Sequence, residues 1–142
     1  MSREQNIVAQ ERLGQAVSSG QLDALAEVFA PNVVDHDPTP DQGSGPEGFK
    51  QFFTTLRAAF PDLTIKAEHV VTDEDNVAIA YTISGTHRGD FLGVAPTGKR
   101  ISARGVQIGR FENGKIVERW GSSDELGILH QIGAAPERVV VR

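Results

Sequence analysis

The stretch from Lys99 to Asp124 reads KRISARGVQIGRFENGKIVERWGSSD and predicts two antiparallel strands joined by a tight turn. The pair Asn113-Gly114 suits a two-residue type I′ turn, because both central positions of that turn need positive φ angles. Alternate side chains of a strand share one face. On the first strand, that face carries one amide among small residues, in the order Ile101, Ala103, Gly105, Gln107, Gly109 and Phe111. So bare a face leaves room for a ligand.

The composition limits the classes of function. A chain of 142 residues predicts one domain over 1–142, with its core at about 5–133 and a tail at 134–142. With 14 Lys and Arg against 19 Asp and Glu, the net charge is -5, which argues against nucleic acid as a partner. No cysteine is present for disulfide or thiolate chemistry. A polar start and the lack of a long apolar run predict a cytoplasmic protein that does not enter the membrane.

The first half of the chain has the spacing of amphipathic helices. The first pattern stops at Ser18-Ser19-Gly20, a second runs to Phe29, and a third starts at Pro46 after an irregular stretch from Pro31 to Gly45. A fourth, short helix starts near Asp124, which can cap it. The apolar stripe of the third helix is more typical of a sheet-facing core than of a cofactor box. It consists of Phe49, Phe52, Phe53, Leu56 and Phe60.

From Leu63 onward the apolar period changes from 3.6 to 2, which predicts strands over about 63–71 and 77–83. A long connection from Gly85 to Lys99 follows, and the segment 139–141 could add an edge strand or pack on a partner. Helices first and antiparallel strands afterwards predict an α+β fold, with the helices on one face of a curved sheet. The concave space between these layers is the expected pocket.

Short strings spread over about residues 5–133 resemble the SnoaL-like polyketide cyclase family of the NTF2-like superfamily. The resemblance implies a cone-shaped α+β barrel with a deep apolar cavity and no metal or organic cofactor. It also implies a homodimer formed through the outer face of the sheet. In chain order the strings are Gly45-Pro46-Glu47-Gly48-Phe49, Arg57-Ala58-Ala59-Phe60-Pro61-Asp62-Leu63, Gly85-Thr86-His87, Gly93-Val94-Ala95-Pro96-Thr97-Gly98-Lys99, Gly114-Lys115-Ile116-Val117-Glu118 and Gln131-Ile132-Gly133.

The family's active-site residues are exchanged in this chain. The resemblance places the proton-shuttling Asp of the cyclases at Gly121, their pocket His at Gln107 and their pocket Gln at Gly105. An Asn after the second helix falls near Asp35. The proton-transfer machinery of the cyclases therefore does not carry over, although Gly105 and Gly121 remain candidates for ligand contact.

The run Asp35-His36-Asp37-Pro38 is the dense group of titratable residues in the irregular stretch. A His titrates near neutral pH, and an apolar cone would raise the pKa of a carboxylate into the range of proton abstraction next to a carbonyl. We therefore predict Asp35 as a general base with His36 as its partner. The alternative is an Asp turn before Pro38 with a solvated His.

The remaining site candidates lie on the predicted sheet and the third helix. Gln107 could polarise a carbonyl oxygen, or could be satisfied by backbone or water. Arg119 could supply a cation or expose its head at the mouth. Tyr81 and His87 could reach the cavity or have structural roles, and Phe53 is the ligand-binding candidate on the third helix.

The opposite face of the last two strands predicts a different role. Arg104 and Arg110 share it with Glu118 and Trp120, and such a mixed face suits a homodimer interface. The four His residues show no paired-ligand spacing, so no metal site is predicted.

These observations favour a cofactor-independent enzyme of secondary metabolism. It would promote cyclisation or isomerisation of a hydrophobic, carbonyl-bearing, polyketide-like molecule, either by acid and base groups or by the shape of its pocket. The alternatives are a non-catalytic binding or interaction module and a related hydrolase or hydroxylase partner, since one scaffold can host unrelated functions. An open cavity with convergent polar groups would favour the enzyme, whereas one filled by Phe side chains would exclude it.

Overall fold

The computed structural model describes residues 3–134, and its centre is a five-stranded mixed sheet in the order β1-β5-β4-β3-β2. The pairs β2–β3, β3–β4 and β4–β5 are antiparallel, and β1 runs parallel to β5. The elements are α1 (Arg3–Ser19), a 3₁₀ turn (Leu22–Ala24), α2 (Leu25–Val28), β1 (Phe29–Asp35), α3 (Gly45–Ala59), β2 (Thr64–Thr72), β3 (Asn76–Thr86), β4 (Arg100–Glu112), β5 (Lys115–Ser123) and α4 (Glu125–Gln131).

The strand β1 corrects the sequence analysis, which expected an irregular stretch from Pro31 to Gly45. The second helical pattern also shrinks to a 3₁₀ turn and one turn of α2. The strand can form here because β1 lies at the edge of the described sheet, beside β5. An edge strand tolerates a proline such as Pro31. Its residues Phe-Ala-Pro-Asn-Val-Val-Asp do not alternate, and the register with β5 shifts between Phe29 and Val34. The period of two was therefore absent from the sequence.

The hairpin of β4 and β5 is confirmed. Asn113 and Gly114 have φ angles of 53° and 77°, as a type I′ turn requires. Every second residue of β4 is buried, and this buried set is the bare face predicted from Ile101 to Phe111.

The strand β2 departs from its predicted alternation. Ala67 pairs with Tyr81, but His69 pairs with Ala80, so Glu68 is a bulged residue. A bulge reverses the faces beyond it. Ala67 and Val70 consequently line the same cavity, and His69 is exposed.

The helices form a layer over the inner face of the sheet. The ring of Phe49 on α3 stacks on Phe29, with centroids 4.0 Å apart and planes 4° apart. At the end of β5, the Asp124 side chain accepts a hydrogen bond from Gly127 N at 2.8 Å and caps α4, as predicted. The segment 139–141, predicted as a possible edge strand, lies outside the described residues.

Candidate functional site

A cavity of about 400 Å³ lies between α1, α3 and the inner face of strands β2 to β5. Phe53 is the one phenylalanine among its described lining residues, so the cone is open rather than filled with aromatic rings. Most of the wall is aliphatic or aromatic, as is usual for a small-molecule site. These apolar residues are Ile7, Leu13, Val17, Phe53, Leu56, Ile65, Ala67, Val70, Ile79, Tyr81 and Ile83.

One part of the cavity wall is polar and consists of Gln10 on α1, Gln107 on β4 and Arg119 on β5. Gln107 Oε1 accepts a hydrogen bond from Arg119 Nε at 3.1 Å, and Gln107 Nε2 donates to Gln10 Oε1 at 3.4 Å. These contacts fix the orientation of the Gln107 amide. We call Gln10, Gln107 and Arg119 the polar end.

Behind the polar end, Asp35 holds the guanidinium of Arg119. The two residues are neighbours in the register of β1 and β5, and Arg119 Nη1 donates to Asp35 Oδ1 at 3.1 Å. Only 16% of the Arg119 side chain and 7% of the Asp35 side chain are exposed. Asp35 also accepts hydrogen bonds from Gln42 Nε2 at 2.9 Å and from Asp37 N at 3.0 Å. Three donors therefore engage this carboxylate, which is outside the described lining of the cavity.

The guanidinium of Arg119 covers Gly121. A Cβ atom at residue 121 would overlap Arg119 Nη2, so the cation uses the space that a side chain there would need. The backbone N of Gly121 donates to Asp37 Oδ2 at 2.8 Å. The position to which the resemblance assigned the cyclases' Asp is therefore covered by a cation from the same strand.

Tyr81 on β3 lies over Gly105 on β4, its direct cross-strand partner. A Cβ atom at residue 105 would overlap Cζ and Oη of the Tyr81 ring, so only glycine leaves the ring this position. Tyr81 lines the cavity. Burial raises the pKa of Tyr81, and the nearby Arg119 charge partly opposes this shift.

His36 lies on the outer side of the sheet, away from the cavity. Its ring stacks on Trp120, with centroids 4.6 Å apart, and its Nε2 atom is 2.7 Å from Glu118 Oε2. Glu118 Oε1 accepts from Arg110 Nε at 2.6 Å. Hydrogen bonds from His36 and Arg110 lower the pKa of Glu118. The structure therefore does not bring His36 together with Asp35, although the two were predicted to act as a pair.

His87 is fully buried but is not part of the cavity lining. Its Nδ1 atom accepts a hydrogen bond from Thr97 N at 3.2 Å, and its ring lies beside Phe60. These contacts tie the connection between β3 and β4 to its ends. The surroundings of His87 therefore match the structural role given as its alternative. The cavity lining, by contrast, includes Phe53, Tyr81, Gln107 and Arg119.

Sequence reasoning missed Gln10. It precedes Leu13 by three residues and Val17 by seven, so it belongs to the buried stripe of α1. A polar residue on an apolar helical stripe was the available signal.

Among residues 3–134, no group of three or more His, Asp or Glu side chains is placed to hold a metal ion. Nor is any described helix both long and apolar enough to cross a membrane.

Comparison with known proteins identifies the family. A model for the SnoaL-like polyketide cyclases matches residues 7–132. Aklanonic acid methyl ester cyclase DnrD of Streptomyces peucetius is 29% identical over 129 residues, which cover 86% of each protein. The structure of IdmH, a putative polyketide cyclase from Streptomyces antibioticus, matches with a TM-score of 0.79 at 32% identity, over 90% of this chain and 98% of that one.

A third match is a solved structure described as a hydroxylase. AclR, a putative hydroxylase from Streptomyces galilaeus, matches with a TM-score of 0.83 at 28% identity, over 95% of this chain and all of that one. These matches confirm the predicted α+β fold. The chain belongs to the SnoaL-like polyketide cyclase family.

Proposed function

We propose that the protein is a cofactor-independent enzyme that closes or isomerises a hydrophobic, carbonyl-bearing polyketide. The observation that carries this proposal is a polar end of hydrogen-bond donors in an apolar cavity. The family match and the DnrD cyclase support the polyketide class. Tyr81, Phe53 and the aliphatic wall would bind the carbon skeleton.

The polar end fits a substrate oxygen that accepts hydrogen bonds. Gln107 Oε1 accepts from Arg119 and one Nε2 hydrogen is directed to Gln10, so the second N–H of the amide remains for a ligand. Arg119 donates through Nη1 to Asp35 and through Nε to Gln107, so its Nη2 atom has no hydrogen-bond partner among the described residues. Donors held in advance at a buried site stabilise the negative charge that develops on a carbonyl oxygen. Gln107 and Arg119 would therefore polarise the carbonyl. Gly105 and Gly121 provide the space that the Tyr81 ring and the Arg119 guanidinium occupy.

In this proposal Asp35 positions Arg119 rather than abstracting a proton. Three donors already engage its oxygens, and His36 is bound to Glu118 on the other face. Ring closure then relies on the orientation of the folded substrate and on charge stabilisation.

The test incubates the protein with aklanonic acid methyl ester and follows the cyclised product by mass spectrometry. We expect turnover by the natural protein and a loss of about 10²- to 10³-fold in Gln107→Ala, because one oxyanion donor is removed. Gln21→Ala is the matched control, since Gln21 is exposed and lies outside the cavity lining. Equal turnover in Gln107→Ala and in the control would contradict the proposal.

A non-catalytic binding module is the second candidate. The observation in its favour is that Asp35, the carboxylate bonded to the polar end, is engaged by three donors and is therefore not free to act as a base. Saturable binding of aklanonic acid methyl ester without any product would support this function instead.

We further propose a homodimer through the outer face of β4 and β5. Val106 and Ile108 on this face are 53% and 39% exposed, beside the Arg110 and Glu118 ion pair. Light scattering would show a mass of twice 15.3 kDa, and Ile108→Glu would reduce it to the monomer.

A further inference from the structure

The hydroxyl of Tyr81 is a polar group with no hydrogen-bond partner among residues 3–134. The three side chains of the polar end, by contrast, are engaged, since Gln107 is hydrogen-bonded to both Gln10 and Arg119. Tyr81 lines the same cavity, and the charge of Arg119 acts on it. An unpartnered donor beside a buried cation is available to a ligand.

The position of this hydroxyl is set by the neighbouring strand. Tyr81 and Gly105 are direct partners in the β3–β4 register, and a side chain at residue 105 would collide with the phenol end of the ring. Gly105 is buried and has an ordinary backbone conformation for any residue, so no turn explains the glycine. The glycine instead leaves room for the Tyr81 ring, which lies across β4.

We propose that Tyr81 is the catalytic acid, which donates its hydroxyl proton to the substrate oxygen during ring closure. This inference rests on the proposed cyclisation and adds the group that supplies the proton. Among the described residues that line the cavity, the ionisable groups are Glu11 on α1, Tyr81 on β3 and Arg119 on β5. Asp35 on β1 lies behind Arg119. Of these, Tyr81 has a transferable proton and an unpartnered hydroxyl, and the charge of Arg119 acts on it.

The step balances without any further reactant. The α carbon of the substrate first loses its proton to water. The resulting enolate carbon attacks a ketone carbon of the same molecule, so a C–C bond forms and the C=O π pair becomes a lone pair on oxygen. This oxygen takes the Tyr81 proton, and the phenolate remains beside Arg119. The phenolate then receives, through water, the proton that the substrate lost from its α carbon. The substrate thus loses one proton from carbon and gains one on oxygen.

Burial makes the phenol suitable for this role. It raises the pKa of Tyr81, so the hydroxyl keeps its proton at neutral pH, and Arg119 opposes the shift by stabilising the phenolate. Loss of activity at alkaline pH is therefore expected as Tyr81 ionises.

The first experiment compares the natural protein with Tyr81→Phe, which removes only the unpartnered hydroxyl. We expect an unchanged melting temperature, a similar KM and a fall of about 10²- to 10⁴-fold in kcat with aklanonic acid methyl ester. The alkaline decline of kcat should disappear in the variant. Tyr81 is the single tyrosine of the chain, so the absorbance of phenolate follows its ionisation directly. A kcat for Tyr81→Phe within about threefold of the natural value would overturn the inference.

Gly105→Ala provides a second variant, because the new methyl group forces the ring from its position. We expect it to lower kcat in the natural background and to have little added effect in Tyr81→Phe, as residues acting through one group are not additive. Equal effects in both backgrounds would count against the role of the hydroxyl.

The second experiment needs no turnover and uses 2-naphthol, a flat aromatic alcohol whose ionised oxygen resembles an enolate. We expect the natural protein to bind it and to raise its ionised fraction at a given pH, and Tyr81→Phe to raise it much less. Equal ionised fractions in the two proteins, or no saturable binding, would overturn the inference. If this difference appears while aklanonic acid methyl ester is not turned over, the donor role of Tyr81 stands and the proposed cyclisation fails.

Discussion

The two faces of the β4–β5 hairpin carry two ion-pair networks built from neighbouring residues. On the inner face, Asp35, Arg119 and Gln107 are bonded in series. On the outer face, Glu118 bridges His36 and Arg110. Asp35 and His36 are consecutive in the chain, as are Glu118 and Arg119, and they lie on opposite faces because a pleated strand turns successive side chains to opposite sides.

The difference between the faces is burial. The Asp35 and Arg119 side chains are 7% and 16% exposed, whereas His36 and Glu118 are 38% and 27% exposed. Removing one partner of a buried pair leaves an uncompensated charge, while water screens an exposed pair. The inner network should therefore control stability and the site, and the outer one should contribute little to either.

The largest effect is expected for Asp35→Asn. It leaves Arg119 without its counter-charge in a nearly buried position, which should lower the free energy of unfolding by about 3 kcal/mol. Glu118→Gln removes the matching carboxylate of the outer face and should cost far less. Urea unfolding followed by circular dichroism measures both variants.

A double variant separates lost attraction from stranded charge. Asp35→Leu with Arg119→Met removes both charges, and such apolar replacements are often close to neutral for stability. It should be more stable than Asp35→Asn. Similar losses for Asp35→Asn and Glu118→Gln would contradict the contrast between the faces.

The sequence was sufficient to predict structure where the pattern involves only neighbouring residues. Strict alternation and Asn113-Gly114 predicted the hairpin and its inner face, which includes Gln107. The pairing of Asp35 with His36 was expected from adjacency, yet the end of β1 places them on opposite sides of the sheet. That strand has no period of its own, because its neighbour β5 and the edge position determine it.

Long-range contacts also explain the remaining gaps. Arg119 lies over Gly121 because of the conformation of its side chain, and no sequence motif specifies that conformation. The bulge at Glu68 reversed a face that alternation had assigned. Gln10 joins the site only because α1 packs across the sheet, 97 positions from Gln107.

An intermediate effect is expected from adding a methyl group at Gly121. Gly121→Ala displaces the guanidinium of Arg119 from its contacts with Asp35 and Gln107, at a cost of about 1–2 kcal/mol in unfolding free energy. Activity on aklanonic acid methyl ester should fall with it. Thermal unfolding and product formation measure the two effects.

Gly14→Ala is the matched control for that variant. Gly14 lies inside α1, and a Cβ atom there would meet nothing within 4 Å. Alanine is a better helix former than glycine, so this variant should gain about 0.5–1 kcal/mol. The same methyl group would then stabilise one position and destabilise the other, and a gain at Gly121 would mean that Arg119 is not held there.

The smallest effect should appear in the pH dependence of the outer network. Hydrogen bonds from His36 and Arg110 lower the pKa of Glu118 below the ordinary value of 4.5 for a glutamate side chain. The unfolded chain therefore takes up this proton at a higher pH than the folded protein does. The stabilisation by Glu118 is fully present above about pH 5 and is lost as the pH falls through the folded pKa.

Glu118→Gln has no proton to take up at this position, so its unfolding free energy should fall less steeply below about pH 5. The two curves should converge toward acid pH and separate again above it, which urea midpoints at a series of pH values would show. A constant gap between the curves would mean that His36 and Arg110 do not stabilise the Glu118 carboxylate. Because Asp35 remains intact in both proteins, any convergence reports the outer face alone.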